Sequence, residues 1–305
     1  MTQTESNRIN LHHNGPEFSK LAAGFWRLNE WNISTTELID FIETCLEVGI
    51  TTMDHADIYG DYQNEGIFGK ALKERPDLRE EIEIVSKCGI CLPVESRPQY
   101  KLQHYNTTAE HIRTSVENSL QQLNTEYLDL ILIHRPDPLM DASEMADIFM
   151  KLLDEEKIKY VGVSNFTTSQ FKLLQSKLDI PLVTNQVECS LLHLDAIYDG
   201  TFDQCQELNI SPMLWSPFAG GKLFTDNTKR IKRIKKTGDK LCKKYNIEFD
   251  QLALAWYLRL PGNPLVVLGT GKKKRIKKAS KALNIKLERQ DWFRMLEASQ
   301  GEPVP

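Results

Sequence analysis

Gly49-Ile50-Thr51-Thr52-Met53-Asp54-His55-Ala56-Asp57-Ile58-Tyr59-Gly60-Asp61-Tyr62-Gln63-Asn64-Glu65 turns abruptly from an apolar, β-branched run into acids, a histidine and tyrosines. Gly49–Met53 has the composition of a short buried strand. Asp54 follows it directly, at the edge of a core, where an unpaired carboxylate is costly and a cationic partner is needed. Tyr59 lies on the loop beyond. Taken alone, the pair has a plain reading: a solvated acid and a packed tyrosine between a strand and a helix. The other reading is a site at the C-terminal end of a strand, and the rest of the chain moves the odds toward it.

The same strand-then-helix pattern extends in both directions. Ser19–Phe25 reads as a first strand, and Ser34 with Glu37 predicts a capped helix carrying Leu38, Ile39, Ile42 and Leu46 at helical spacing. After Glu65, the positions of Ile67, Phe68, Ala71 and Leu72 predict a helix closed by Arg75-Pro76. Strands then follow at Ile82–Lys87, Leu128–His134, Tyr160–Val163, Leu182–Glu188, Ser211–Ser216 and Leu265–Gly269. Helices alternate with them at Thr108–Leu123, Ala142–Glu156, Thr168–Leu178, Ala196–Leu208, Arg230–Tyr245, Phe249–Leu260 and Lys272–Leu283, with an extra one at Asp291–Ala298. Alternation of this kind with near-continuous apolar strands predicts an α/β fold with a parallel sheet covered by helices. Eight such units fit a closed (β/α)8 TIM barrel forming a single domain. No G-x-G-x-x-G follows an early strand, as an open dinucleotide-binding sheet would require. The expected organisation is a lead segment over residues 1–17, loosely docked at its start, the barrel over 18–301, and a tail over 302–305.

Composition sets the class. The chain has 305 residues, 41% hydrophobic and 26% charged, an ordinary globular balance. No apolar run approaches the roughly 18 residues that span a bilayer. The first residues hold no apolar signal region, and the six cysteines are scattered, so a soluble cytoplasmic protein with reduced thiols is expected. The net charge of −4 conceals an asymmetry: Lys222–Arg289 holds 20 Lys and Arg against 5 Asp and Glu, a balance of +15 that leaves −19 for the remainder. The run KRIKRIKK at 229–236 raises nucleic-acid binding. Its isoleucines at helical spacing and its lack of aromatics favour an amphipathic helix with a solvated basic face, partly oriented to a cofactor phosphate. Cys88-Gly89-Ile90-Cys91 is a lone CxxC, weak as a metal site and more in keeping with packing, a redox role staying open. No metal and no nucleic acid is expected.

In a parallel barrel, chemistry sits at the C-terminal strand ends. Here those ends carry Asp54, Lys87, His134, Ser164 with Asn165, Gln186, Ser216, and Gly269 with Thr270. Lys87 can lower the pKa of the Tyr59 phenol, Asp54 can neutralise and position Lys87, and His134 can orient a substrate oxygen. That set moves a proton on and off oxygen. It contains no obvious nucleophile, so a hydride-transfer cofactor completes it.

The chain resembles the aldo-keto reductases from about Phe18 to Gly301, through MDHADIYG, VSKCG, LILIHRPDP, GVSNF, NQVE and WSPFAGG in the family's order. Within the family it is most similar to the bacterial oxidoreductases whose histidine strand continues as HRPDPLMD. The resemblance implies NADPH-dependent reduction of a small-molecule carbonyl substrate, with Asp54, Tyr59, Lys87 and His134 as the catalytic tetrad. It implies that Ser164, Asn165 and Gln186 hold the nicotinamide carboxamide and that Trp215 stacks on the ring. Ser216, Phe218, Gly220, Gly221 and Leu223 are expected along the pyrophosphate. Thr270, Gly271, Lys272 and Arg275 are expected at the adenosine 2′-phosphate, with Gly269 also among the cofactor-binding residues. Many members carry a basic residue directly after the last strand, where this chain has Gly269-Thr270-Gly271. Trp26, Trp31 and the segment 91–106 are expected to wall the substrate pocket. The expected state is a monomer or weak oligomer without membrane attachment. A cofactor-binding, redox-sensing regulatory subunit with incidental turnover is the alternative.

Overall fold

A computed structural model of the chain describes residues 7–305. Eight parallel strands close on themselves in sequence order: β1 (Leu21–Gly24), β2 (Thr52–Asp54), β3 (Glu83–Cys88), β4 (Leu130–Ile133), β5 (Val161–Ser164), β6 (Leu182–Glu188), β7 (Met213–Trp215) and β8 (Leu265–Leu268). The outer ring comprises α1 (Thr35–Glu47), α2 (Asn64–Glu74), α3 (Ala109–Leu123), α4 (Ala142–Asp154), α5 (Thr168–Gln175), α6 (Thr201–Glu207), α7 (Lys229–Tyr245), α8 (Phe249–Leu258) and α9 (Lys273–Ser280). The extra helix is α10 (Arg289–Gln300), which packs on α7. This is the (β/α)8 barrel that the alternation predicts. The Ser34–Glu37 capping box is present at the start of α1.

The pleat decides what faces the barrel axis. Val85, Leu130, Leu132, Val183, Met213, Leu265 and Val267 meet inside the barrel, while Ile84, Ile131, Ile133, Leu214, Val266 and Leu268 pack outward under the helices. Carried one pleat further toward the C-terminal ends, the inward parity falls on Asp54, Lys87, His134 and Ser164. β6 departs from this rule. Its pairing with β5 shifts register between Leu182 and Asn185, and beyond that irregularity Gln186 points inward.

Several boundaries differ from the sequence reading. The strand before Asp54 begins at Thr52, because Gly49 takes φ 74° to leave α1. The helix expected over 196–208 breaks at Gly200, φ 88°, into Asp195–Tyr198 and α6. The loosely docked start is a built element from residue 8 on; residues 1–6 lie outside the described part. Arg8–Asn10 pairs antiparallel with Glu17–Ser19. The hairpin's Ile9, Leu11 and Phe18 plug the barrel interior at its N-terminal mouth, and Arg8 reaches Thr51 at 2.9 Å and Glu83 at 2.7 Å. One mouth is thus filled with side chains, leaving the other for a site.

Interior packing leaves no room at Gly162 of β5. A Cβ there would sit 2.7 Å from Leu132 Cδ2 and 3.0 Å from the Thr184 carbonyl oxygen. Gly162→Ala is expected to lower stability by about 1–3 kcal/mol, the usual range for overpacking. Urea denaturation of the two proteins measures it, and an unchanged midpoint would show that the interior is looser than these contacts imply.

Candidate active site

The open mouth holds a cavity of about 840 Å³, with Asp54, Tyr59 and His134 in its wall. Beneath it Lys87 is fully buried, and Asp54 is 2% exposed. The Lys87 Nζ donates to Asp54 Oδ1 at 2.9 Å, Asp54 Oδ2 at 2.8 Å and the His55 carbonyl at 2.6 Å. A further contact, at 3.2 Å, goes to the Tyr59 hydroxyl. Gln186 Nε2 donates to Asp54 Oδ1 at 2.7 Å from across the barrel. The Tyr59 and His134 rings meet edge to face at 5.8 Å. The tetrad that the strand ends suggest is therefore one cluster.

The loop bearing Tyr59 is held from behind. Gly60 and Asp61 adopt left-handed dihedrals, φ 56° each. A Cβ on Gly60 would lie 2.1 Å from Asn64 Oδ1. That Asn64 donates to the carbonyls of Phe25 and Trp26, at 2.9 Å each, tying this loop to the one after β1. The left-handed turn favours glycine at position 60, and the close approach of Asn64 leaves no room for a Cβ there.

Burial sorts the titratable groups. It lowers the His134 pKa well below the imidazole range, helped by the charges of Lys87 and Arg135, so this ring is neutral. His55 is pushed down to about 3, first by burial and then by Lys87. It stacks on Phe25 at 4.6 Å and meets Phe68 edge to face at 4.4 Å, a packing role. Lys87 stays charged: burial opposes the ammonium, but Asp54 and Tyr59 raise its pKa overall. The expected lowering of the Tyr59 pKa is not realised. Burial raises it and the Asp54 charge adds to that, together outweighing Lys87. The phenol keeps its proton through the neutral range.

The rest of the cavity runs from Trp215 past Ser216, Phe218, Gly220 and Gly221 to Gly269, Thr270 and Arg275. Ser164 Oγ donates to the Gln186 carbonyl at 2.8 Å, Asn165 Nδ2 to Ser164 Oγ at 2.7 Å, and Trp215 Nε1 to Asn165 Oδ1 at 3.0 Å. These residues are one hydrogen-bonded row beside the tetrad. At Gly221 and Gly269 an added Cβ would meet nothing within 4 Å, so the backbone there is open. Arg275 lines the cavity and makes no ion pair or hydrogen bond with another described side chain, whereas Lys273 pairs with Asp40, Lys277 with Glu47, and Lys278 with Glu248 and Asp250.

Three residues expected at the cofactor are not in the wall. Leu223 is buried in the core beneath the loop. Gly271 is covered by the Trp31 indole, 2.4 Å from where its Cβ would be. Lys272 precedes α9 and is exposed to solvent. Trp26, 56% exposed, and Trp31 do line the cavity, but no residue of 91–106 does. No residue of α7 does either: Ile231, Ile234 and Leu241 face the core, and of its basic side chains Lys235 reaches only the carbonyl of Phe224 in the wall, at 2.8 Å. Cys88 and Cys91 are buried thiols outside any disulfide, with raised pKa values, burial being the main cause. Among the described residues no group of three or more His, Cys, Asp or Glu is placed to hold a metal ion. Sequence reasoning passed over Arg27 and Arg135, both in the wall. Each directly follows a site residue, Trp26 or His134, a signal that could have found them.

The profile of the Aldo/keto reductase family matches residues 20–300. The chain is 48% identical over 299 residues to Oxidoreductase YdhF of Escherichia coli (strain K12), covering 98% of this chain and 99% of that one. It is 43% identical over 293 residues to a 6-dehydroglucose reductase of Agrobacterium fabrum (strain C58), covering 94% and 96%. Among solved structures, the thermostable aldo-keto reductase Tm1743 in complex with the inhibitor epalrestat aligns with a TM-score of 0.81 at 26% identity, covering 95% of this chain and 99% of that one.

Behind the tetrad, Glu65 is buried and accepts from Ser86 Oγ at 2.5 Å. Burial raises its pKa from 4.5 to about 7. The folded chain therefore binds a proton that the unfolded chain releases, and stability falls as pH rises from about 4.5 to about 7. Glu65→Gln should remove this slope, on the order of 3 kcal/mol across the window, and be more stable than the parent above pH 7. Urea titrations at several pH values test it; parallel curves for the two proteins would show that Glu65 is ionised in the fold.

Proposed function

The chain belongs to the Aldo/keto reductase family, and from this premise we propose that it reduces aldehyde or ketone carbonyls with NADPH, Tyr59 being the proton donor. The observation that carries the reading is the Tyr59 hydroxyl at the cavity wall, 3.2 Å from a buried Lys87 ammonium that Asp54 holds in place. A tetrad assembled this way favours turnover over a purely sensing role.

The cavity's residues fit the cofactor. Ser164, Asn165 and Gln186 present amide and hydroxyl groups suited to a carboxamide, and Trp215 offers an aromatic face. Gly220, Gly221 and Gly269 let a diphosphate approach the backbone, and Arg275 has a free guanidinium for the 2′-phosphate. When bound, the reduced nicotinamide supplies hydride. Every other role falls to the chain. Tyr59 gives its proton to the carbonyl oxygen as that oxygen gains charge, and the resulting phenolate is stabilised by the Lys87 ammonium. His134, being neutral, can donate a hydrogen bond to the same oxygen without carrying the proton. Asp54 and Gln186 keep Lys87 in position.

Tyr59→Phe should keep its affinity for NADPH and lose about 10²–10⁴-fold in turnover, the usual effect of deleting an oriented proton donor. Cofactor titration by fluorescence together with steady-state rates tests it, and normal turnover on several carbonyls would remove Tyr59 from this role. Arg275→Ala should weaken NADPH by about 10–100-fold, the worth of a charge-assisted bond, and leave NADH nearly unchanged. Equal losses for both cofactors would mean that Arg275 does not hold the 2′-phosphate.

A further inference from the structure

Arg135 has no part in the mechanism above. It lines the cavity together with Tyr59, His134 and Trp215, and its guanidinium carbon lies 5.5 Å from the centroid of the Trp215 ring. That ring is itself fixed by the bond from its Nε1 to Asn165. Arg135 is partly buried, yet its guanidinium makes no hydrogen bond or ion pair with any described residue. The carboxylates in the cavity wall are engaged elsewhere: Asp54 with Lys87, and Glu248 and Asp250 with Lys278. A guanidinium drawn partly out of water with five donors and no acceptor is an unfavourable arrangement unless a ligand supplies oxygen. The charge of Arg135 also acts on both Tyr59 and His134, so it lies near the atoms that meet the carbonyl oxygen.

Arg135 and His134 are consecutive residues beyond β4. With a carbonyl oxygen at His134 and Tyr59, an acceptor within reach of Arg135 belongs to the atoms next to that carbonyl. A substrate bearing a plain alkyl group there would leave the guanidinium bare. We propose that Arg135 is a specificity-determining residue that binds an oxygen on the carbon next to the reacting carbonyl, and that the substrates are α-oxygenated aldehydes and ketones. This rests on the carbonyl-reducing reading of the cavity. Hydroxyl and carboxylate share the required chemistry: both accept hydrogen bonds from a guanidinium, and a carboxylate does so in bidentate fashion.

The test is the rate of NADPH oxidation with matched carbonyls: propanal against 2-hydroxypropanal, and acetone against hydroxyacetone and pyruvate. Wild type should show a higher kcat/KM for the oxygenated member of each pair, and the better of hydroxyacetone and pyruvate identifies the acceptor. Arg135→Met should lower the oxygenated-to-plain ratio by about 10–100-fold, and Arg135→Lys should lower it less, since lysine keeps the charge and loses the fork. Thermal melting checks that each variant is folded. Should Arg135→Met fail to fold, Arg135→Lys decides, with a fall of roughly 3–10-fold expected. A ratio that does not change, or a wild type that prefers the plain carbonyls, overturns the proposal while leaving the reductase reading intact. A wild type that reduces none of the five overturns both.

Discussion

A lysine ammonium with no access to solvent is tolerable only beside a carboxylate, and the Lys87–Asp54 pair is the constraint on which this site rests. A buried ion pair adds little net stability, because desolvation cancels most of the attraction. Its value here is geometric. Lys87 uses its donors on Asp54, the His55 carbonyl and the Tyr59 hydroxyl, which fixes the phenol relative to the barrel. Asp54 is in turn held by Gln186, from a strand on the far side. Three strands meet in one network, and only a closed barrel brings β2, β3 and β6 together in this way.

The same dry interior sets the charge of everything around that pair. His55 and His134 are neutral because burial and the neighbouring ammonium both oppose a second cation. Tyr59 keeps its proton because burial raises its pKa and the Asp54 charge adds to that, together outweighing Lys87. A phenol that is protonated at rest, with an ammonium already beside it to stabilise a phenolate, has the properties that the role proposed for Tyr59 requires. The tetrad thus behaves as a unit in which the acid restrains the lysine's influence on the tyrosine.

Farther out, ion pairing resolves the uneven charge of the chain. The basic C-terminal third packs against acids from elsewhere: Lys273 and Lys277 of α9 meet Asp40 and Glu47 of α1, and Lys244 of α7 meets Asp291 of α10. Exposed pairs of this type contribute little energy each. Their consequence is selective. They occupy several of the lysines and leave Arg275 free at the cavity wall, so a segment that looks uniformly basic presents one particular cation to the site.

What the sequence by itself determined was whatever depends on local pattern. Apolar runs followed by helical spacing repeat eight times, and that periodicity is sufficient for the barrel and for the strand ends that carry Asp54, Lys87 and His134. The inward direction of these side chains follows from the two-residue pleat. Only the tertiary structure decided the rest. The Arg8–Ser19 hairpin has strands too short to leave a pattern. The irregularity in β6 that turns Gln186 toward Asp54 is invisible in its composition. Leu223 went to the core and Gly271 under Trp31 because of neighbours distant in the chain, and Arg135, set against the Trp215 ring, has no hydrogen-bond or ion-pair partner among the described residues. The net shift at Tyr59 had the opposite sign from the one its charged neighbour suggested. Spacing is a property of adjacent residues, whereas desolvation and pairing depend on everything that packs around a group, so they are settled only when the chain has folded.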